Sequence, residues 1–405
     1  MNFQMSKGIS ISADEVSVLE TPEQFFERLV QNISEARDRI VLTSLYIGNG
    51  EKEKKIYHEI ESFAARGGHV TIIIDWNRGQ RGRRNSSLHR LWDIKDKYPK
   101  NFILKVVFFI RSTVKGYTKL IKKLVLNFHF QLFRSPLIDE SRIVKEVPQL
   151  NETLSTQHTK IYLTDRKLIL SGANLESAYF INRQDRYLEF TSPNLVEYFG
   201  KLANVISNYS YTVGNKAIDD FYQMKFDNIG SDLSALIESQ VLQGIFIFIN
   251  IESANFLKEI FSDKKFSKFA NFFLKTLVLT FASSSEISEA DTIFCPHVQA
   301  GWANINWEQD MICQTVSQLT KSGSLYFCSG YFNPPLPLCA AIRDSQCSVN
   351  LLSADREANG FNKARWPKSG ITPAYQMFAD FMLKSIEEKE VKLSEWNRDK
   401  PRLKK

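Results

Sequence analysis

Residues 157–174 read QHTKIYLTDRKLILSGAN, and this stretch decides the fold of the chain around it. Because side chains two residues apart share one face of a strand, His158 and Lys160 are expected to project together, while their neighbours face the core. A turn over 164–167, a returning strand over 168–171 and a helix starting at Asn174 are expected to follow. The stretch therefore predicts a β-turn-β-helix unit that aims an imidazole and an ammonium at one point.

Five positions in this stretch form the pattern H-x-K-x4-D-x6-G-x-N. They are His158, Lys160, Asp165, Gly172 and Asn174. A neutral histidine nitrogen can attack phosphorus and hold it covalently. Lysine and an amide supply charge and donors to the non-bridging oxygens of a phosphate. The pattern therefore favours phosphodiester chemistry, with no metal ion and no cofactor required.

Outside the motif, two regions predict the same strand-helix-strand order. The first has strands at 39–47 and 70–75 around a helix at 51–65, and the second has strands at 324–329 and 348–353 around a helix at 338–343. The apolar strands are typical of a parallel sheet that is buried on both faces. We interpret the repeat as an internal duplication, although two unrelated βαβ units would also look alike.

The predicted fold class is α/β, with two pseudo-symmetric lobes packed face to face and the C-terminal lobe incomplete. Residues 1–200 form the N-terminal lobe, with the motif region at 152–178. Residues 201–280 connect the lobes, and 281–405 form the C-terminal lobe, which lacks a motif of its own. Its last helix is predicted from Pro373 to about Leu393.

Composition narrows the functional classes. The five cysteines are odd in number and contain no C-x-x-C pair, which argues against a disulfide framework or a zinc site and favours reduced thiols inside a cell. No run reaches the ~18 apolar residues of a spanning helix. Residues 1–20 resemble neither a secretory signal nor a transit peptide, so no targeting peptide is visible. The sequence predicts a soluble or peripheral protein.

The motif resembles the signature of the phospholipase D superfamily, whose members cleave or exchange phosphodiesters through a phosphohistidine. Five further blocks resemble its eukaryotic mitochondrial phosphatidylglycerophosphate synthase branch. They are SLYIGNG at 44–50, DWNRGQRGRRNS at 75–86, SGANL at 171–175, NRQDRY at 182–187 and GYFN at 330–333.

The resemblance implies roles for the motif residues. His158 is the expected nucleophile, and Lys160 and Asn174 are the expected phosphate ligands, with Ser171 and Gly172 in the same substrate-binding loop. Asp185 is expected to bond the far nitrogen of His158 and to stabilise its charged form. Asp165 completes the catalytic signature. We assign it mainly to the architecture of the motif, with direct catalysis as the less favoured alternative.

The resemblance also implies a reaction and a place for it. CDP-diacylglycerol and sn-glycerol 3-phosphate would give phosphatidylglycerophosphate and CMP, a step toward phosphatidylglycerol and cardiolipin. The expected location is the mitochondrion, peripheral to the inner membrane. Two alternatives remain open: another phosphodiesterase of the superfamily, such as a nuclease or a different phospholipid synthase, and an inactive or regulatory lipid-binding chain.

The inactive alternative arises from a missing second motif. Superfamily members normally bring two motifs together, whereas only one of the six histidines here, His158, is followed two residues later by lysine. The chain is expected to end just before the second copy, which puts the activity of this chain by itself in doubt. Superfamily members with a single motif dimerise. Because the C-terminal lobe is expected to occupy the position of their second subunit, a homodimer is not required.

Basic segments suggest how the chain binds a lipid substrate and a membrane surface. Arg78, Arg81, Arg83 and Arg84 crowd one loop after a buried strand, where we favour binding of substrate or lipid phosphate over a solvated loop or a weak nucleic-acid patch. Residues 115–134, and possibly 264–281, interleave lysines with apolar residues. Either segment could lie on an anionic membrane surface or be an ordinary core helix. We expect no nucleic-acid partner.

Overall fold

The computed structural model describes residues 8–82, 85–107, 156–213, 232, 235–236, 292–300, 305–329, 334–356, 371–386, 389 and 391–396. The chain divides into two compact units, Met1–Pro296 and His297–Lys405. Most of the predicted connecting region, 201–280, lies outside the described residues. The predicted lobe boundaries and the face-to-face packing of the lobes therefore stay predictions.

An eight-stranded mixed sheet forms the centre of the first unit, in the order β2-β8-β7-β6-β3-β4-β5-β9. Strands β3, β4 and β5 are parallel, and the other neighbouring pairs are antiparallel. A separate antiparallel pair joins β1 to β10. The strands are β1 (Ile9–Ile11), β2 (Val16–Leu19), β3 (Arg39–Ser44), β4 (His69–Asp75), β5 (Phe102–Val107), β6 (Ile161–Thr164), β7 (Lys167–Ser171), β8 (Tyr187–Phe190), β9 (Tyr211–Thr212) and β10 (Thr292–Phe294).

Local sequence signals mark the ends of the first two helices of this unit. Thr21 caps the first helix by accepting a hydrogen bond from the Gln24 amide, and a proline follows at the first helical position. Residues 51–65 form the predicted second helix, which ends before a glycine at φ 90°. The helices are α1 (Pro22–Glu35), α2 (Glu51–Ala65), α3 (Trp76–Gly79), α4 (Ser87–Lys97), α5 (Ser177–Ile181) and α6 (Pro193–Asn208).

Aromatic side chains join α1 to the motif strands. Phe25 is fully buried and stacks on Tyr187 with ring centroids 4.6 Å apart, and it lies 5.8 Å from the ring of Tyr162 on β6. The Tyr162 hydroxyl donates a 2.6 Å hydrogen bond to the Ala173 carbonyl. Because removal of such an aromatic group costs about 3–5 kcal/mol, this packing holds the motif hairpin rigidly against the core.

The register of the sheet gathers several chain ends at one edge. Thr43 on β3 pairs with Ile161 on β6, which in turn pairs with Leu170 on β7. Ser171 pairs with Tyr187 at the start of β8. The segments just beyond these positions, together with the carboxyl end of β4, therefore share one edge of the sheet.

The second unit contains a parallel three-stranded sheet in the order β13-β14-β15. One face of it packs against helices through Leu351, Ile342 and Met382. Its elements are β11 (Gln299–Ala300), β12 (Ile305–Asn306), α7 (Trp307–Ser317), β13 (Ser324–Ser329), α8 (Leu336–Asp344), β14 (Ser348–Ala354), α9 (Ile371–Ser385) and β15 (Val391–Trp396). The strand-helix-strand order of β13-α8-β14 matches that of β3-α2-β4, and the predicted α/β class is confirmed.

The predicted last helix is wrong in its length. It ends at Ser385 rather than near Leu393, and residues 391–396 form β15 instead. The first four of these residues, VKLS, alternate apolar and polar side chains, the strand pairs with β14, and Val391 and Leu393 pack against the core of this unit. No described helix is long and apolar enough to cross a membrane.

Candidate active site

His158 and Lys160 lie in the irregular segment just before β6, and not within a strand as predicted, because pairing in β6 begins at Ile161. His158 is exposed, whereas Lys160 is 5% exposed. The Lys160 ammonium donates a 2.8 Å hydrogen bond to the backbone carbonyl of His158. This hydrogen bond holds the Lys160 ammonium next to the backbone of His158.

The surroundings of His158 keep its imidazole neutral. Burial, the charge of Lys160 and the charge of Arg78 together lower its pKa to about 4. The residue remains accessible to solvent, so a ligand can reach a ring that neighbouring protein atoms still partly desolvate. At neutral pH a ring nitrogen therefore has a free electron pair, which a nucleophile requires.

The pKa of Lys160 lies close to neutral pH. Burial is the main cause that lowers its pKa to about 7; the charge of Arg78 also lowers it, and the charge of Asp185 acts in the opposite direction. An ammonium that is buried beside another cation is costly unless an anion joins it. The site is therefore suited to an anionic ligand, whose charge would stabilise the protonated lysine.

Arg78 is the member of the predicted arginine cluster that the structure places in this site. Its charge lowers the pKa values of both His158 and Lys160. Its guanidinium lies over the Tyr46 ring, 4.8 Å from the centroid. Arg81 is exposed on the following turn, and Arg83 and Arg84 lie outside the described residues.

Asp75 joins two segments of the site, and the sequence reasoning missed it. The residue ends β4, is 1% exposed, and accepts a 2.8 Å hydrogen bond from the Arg78 amide and a 3.1 Å hydrogen bond from the Gln157 amide. An aspartate after an apolar strand and before a short helix is a capping signal, which could have indicated the first bond. The second bond spans 82 residues and leaves no local signal.

Asp185 lies against the glycine of the motif. Its carboxylate accepts hydrogen bonds from the backbone amides of Gly172 at 3.1 Å and Arg186 at 2.7 Å. A β-carbon at Gly172 would lie 2.9 Å from both carboxylate oxygens, so the loop needs glycine there. Asp185 is close enough to raise the pKa of Lys160, and its predicted bond to His158 stays a prediction.

The loop after β7 carries the other predicted ligands. The Ser171 hydroxyl accepts a 2.9 Å hydrogen bond from the Ala173 amide. Asn174 is 5% exposed, and its side-chain Oδ1 has no hydrogen-bond partner among the described residues. The helix predicted to start at Asn174 instead starts at Ser177, because 172–176 form a connecting loop beside Gly48.

Asp165 lies at the far end of β6 from His158. Its carboxylate accepts hydrogen bonds from the backbone amides of Arg37, Asp38 and Arg39 at 2.7, 3.0 and 2.8 Å. Its own backbone has φ 36° in the turn between β6 and β7. Four strand residues span ~13 Å, so this geometry supports the architectural role over direct catalysis.

A buried carboxylate connects the glycine turn after β3 to the start of α5. Glu53 on α2 is 1% exposed and accepts hydrogen bonds from the Ser177 amide and hydroxyl at 2.5 and 2.6 Å. A β-carbon at Gly48 would lie 2.4 Å from Glu53 Oε1. The glycine turn after β3 therefore packs on this carboxylate. Within the described ranges, no group of three His, Cys, Asp or Glu side chains is arranged to hold a metal ion.

Comparison with known proteins identifies relatives along nearly the whole chain, although no family model matches it. It is 28% identical over 375 residues to the chicken (Gallus gallus) mitochondrial CDP-diacylglycerol–glycerol-3-phosphate 3-phosphatidyltransferase, covering 90% of this chain and 62% of that protein. The bovine (Bos taurus) protein of the same name is 27% identical, covering 96% and 66%. The Saccharomyces cerevisiae CDP-diacylglycerol–glycerol-3-phosphate 3-phosphatidyltransferase is 25% identical, covering 95% and 68%. The chain thus spans less than two thirds of the length of its chicken and bovine relatives.

Among solved structures, the phosphatidylserine synthase of Haemophilus influenzae is similar to this chain. It has a TM-score of 0.54 and 16% sequence identity, and the alignment covers 97% of this chain and 75% of that one. This likeness shows the fold. The names of the curated relatives confirm the predicted resemblance of the chain to phosphatidylglycerophosphate synthases.

Proposed function

We propose that this chain is a phosphatidyltransferase that converts CDP-diacylglycerol and sn-glycerol 3-phosphate to phosphatidylglycerophosphate and CMP. The observation that carries the proposal is a neutral, accessible imidazole beside two cations, Lys160 and Arg78. A nucleophile next to groups that stabilise phosphate oxygens is the arrangement that phosphoryl chemistry needs. The names of the curated relatives support the choice of substrates.

In the first step, a ring nitrogen of His158 forms a bond to the phosphatidyl phosphorus. The bond between that phosphorus and the bridging oxygen breaks, and CMP leaves with the electron pair. Lys160, Arg78 and Asn174 stabilise the charge on the phosphate oxygens, while Ser171 and Gly172 form the adjacent loop. Asp185 maintains the protonation of Lys160 and, in this proposal, stabilises the imidazole after attack.

In the second step, the primary hydroxyl of glycerol 3-phosphate attacks the same phosphorus. The nitrogen–phosphorus bond breaks, its electron pair returns to the imidazole, and the hydroxyl proton is released to solvent. Asp165 serves the reaction indirectly, because it holds the turn between β6 and β7.

We also propose a mitochondrial location at the periphery of the inner membrane. The names of the mammalian and avian relatives support the organelle. The candidate membrane-binding segments, 115–134 and 264–281, lie outside the described residues and stay predictions. Fractionation of cells that express the tagged chain tests this, since carbonate washing should release a peripheral protein from mitochondrial membranes.

The reaction is tested with CDP-diacylglycerol labelled at the phosphatidyl phosphate. The wild-type chain should release CMP and acquire an acid-labile, base-stable label, and His158→Asn should acquire none. His58→Asn is the matched control, because His58 is exposed on α2 and has no proposed role. CMP release without transfer to glycerol 3-phosphate would contradict the transferase, and absence of both label and CMP would favour an inactive lipid-binding chain.

A further inference from the structure

The Asp75 carboxylate forms a bridge between two distant segments. Its Oδ1 accepts a hydrogen bond from the Arg78 amide at 2.8 Å, and its Oδ2 accepts one from the Gln157 amide at 3.1 Å. The residue is 1% exposed at the carboxyl end of β4. One buried side chain therefore holds the start of α3 and the segment that leads into the motif.

Each of these bonds lies next to a residue of the candidate active site. Gln157 directly precedes His158, and its side-chain Oε1 accepts a 2.6 Å hydrogen bond from the Thr159 amide. The backbone is thus held on both sides of the imidazole. On the other segment, the Arg78 guanidinium is held over Tyr46. Asp75 consequently connects the backbone of the nucleophile to the backbone of the nearby arginine.

A carboxylate suits this bridge because it accepts hydrogen bonds at both oxygens, whereas an amide accepts at one. Asparagine at position 75 would turn an NH₂ group toward one of the two backbone N–H groups, so one bond would be lost. A buried amide that loses its acceptor is costly, and the chain is expected to move to satisfy it. The two acceptor oxygens of one side chain thereby control the separation of the two segments.

We propose that Asp75 is a positioning residue that sets the place of His158 relative to Arg78. Its consequence for catalysis rests on the proposed function, but its consequence for the titration of His158 does not. Displacement of reacting groups by about 1 Å can cost ~100-fold in rate. Both of these hydrogen bonds come from backbone amides, so Asp75 acts through the segments that it holds.

The experiment compares Asp75→Asn and Asp75→Ala with the wild-type chain, using NMR titration of the His158 ring. The His158→Asn spectrum identifies its signal. Because the charge of Arg78 helps to hold the pKa of His158 at about 4, displacement of Arg78 should move that pKa upward toward ~6.5. The kcat for CMP release from CDP-diacylglycerol should fall about 10- to 100-fold, with a smaller change in KM.

Thr21→Ala is the matched control, since it removes the side-chain cap of α1 without touching the site. It should lower stability and leave both readouts unchanged. Wild-type values of the His158 pKa and of kcat in both Asp75 variants would overturn the proposal. If the wild-type chain does not react with CDP-diacylglycerol, the proposed function fails, and the titration still decides the role of Asp75.

A measurement on the wild-type chain covers the case in which neither variant folds. Hydrogen exchange of the Gln157 and Arg78 amides should show protection of both, because both donate to the same buried carboxylate. Unprotected exchange at Gln157 beside a protected Arg78 would contradict the bridge.

Discussion

The amide of Gly172 and the carboxylate of Asp185 are in direct contact, at 3.1 Å between nitrogen and Oδ1. The glycine has no side chain in the way, and a β-carbon there would lie 2.9 Å from both carboxylate oxygens. Asp185 in turn raises the pKa of Lys160. The glycine of the motif therefore controls how close a carboxylate comes to the lysine.

Gly172→Ala should push Asp185 away and weaken the binding of phosphate-bearing substrate. With less support from the carboxylate, the pKa of Lys160 falls below about 7 and less of the lysine is charged at neutral pH. We expect KM for CDP-diacylglycerol to rise roughly tenfold, which corresponds to ~1.4 kcal/mol. Steady-state kinetics measure this.

Gly200→Ala is the control for that substitution. Gly200 lies within α6, and a β-carbon there would come no nearer than 3.6 Å to other atoms. The variant should keep wild-type kinetics and fold at least as stably, because alanine favours the helix by about 1 kcal/mol. An equal rise in KM in both variants would contradict a specific role of Gly172.

The activity should be confined to a pH window set by two groups of the site. His158 is neutral above its pKa of about 4, so the nucleophile is lost as the pH falls through 4. Lys160 is charged below its pKa of about 7, so its support is lost as the pH rises through 7. A profile of kcat/KM against pH should show both limbs.

Lys160→Arg tests the assignment of the basic limb. Guanidinium stays charged throughout the accessible pH range, so the decline near pH 7 should disappear. The maximum rate should still fall, because the planar group cannot reproduce the position of the ammonium that bonds the His158 carbonyl. A basic limb that stays unchanged in this variant would assign it to another group.

Tyr46 should tighten substrate binding through Arg78. Tyr46→Leu removes the ring beneath the guanidinium, and a cation–π contact contributes about 0.5–2 kcal/mol. We expect KM to rise by ~2- to 30-fold, while Tyr46→Phe, which retains the ring, should show the smaller effect. Equal kinetics for both variants would show that the stack does not orient Arg78.

Asp165 should matter for stability more than for chemistry. Burial alone would raise its pKa, but bonds from the backbone amides of 37–39 outweigh burial and hold the pKa below its usual value. Asp165→Ala loses these bonds and should lower the free energy of unfolding by about 2 kcal/mol. Denaturant titration measures this loss. The difference in stability between the wild-type chain and the variant should shrink as the pH falls below ~4, because protonation of Asp165 removes its contribution from the wild-type chain.

Asp165→Asn is the matched variant, because asparagine tolerates the positive φ of 36° at this turn. It should lose less stability than the alanine variant. Both should retain the wild-type rate per folded molecule. A large loss of kcat with unchanged stability would instead support direct catalysis by Asp165.

Elements with strong local signals could be predicted from the sequence. The helix at 51–65, the apolar strand over 70–75 and the returning strand of the motif hairpin lie close to where the local pattern placed them. The last helix was predicted too long, because residues 386–393 carry no proline or glycine to stop a helix. Pairing of β15 with β14 decides that end, and such pairing involves residues far apart in the chain.

The candidate site shows the same division between local and long-range information. By itself the amino-acid order determined the His158–Lys160 pair, the turn after β6 and the apolar strands, because these depend on residues within a few positions of one another. Only the tertiary structure decided that Arg78 acts on both residues of that pair, that Asp185 acts on Lys160, and that Asp75 binds an amide 82 residues away. Burial and through-space charge act between segments that only the folded sheet brings together.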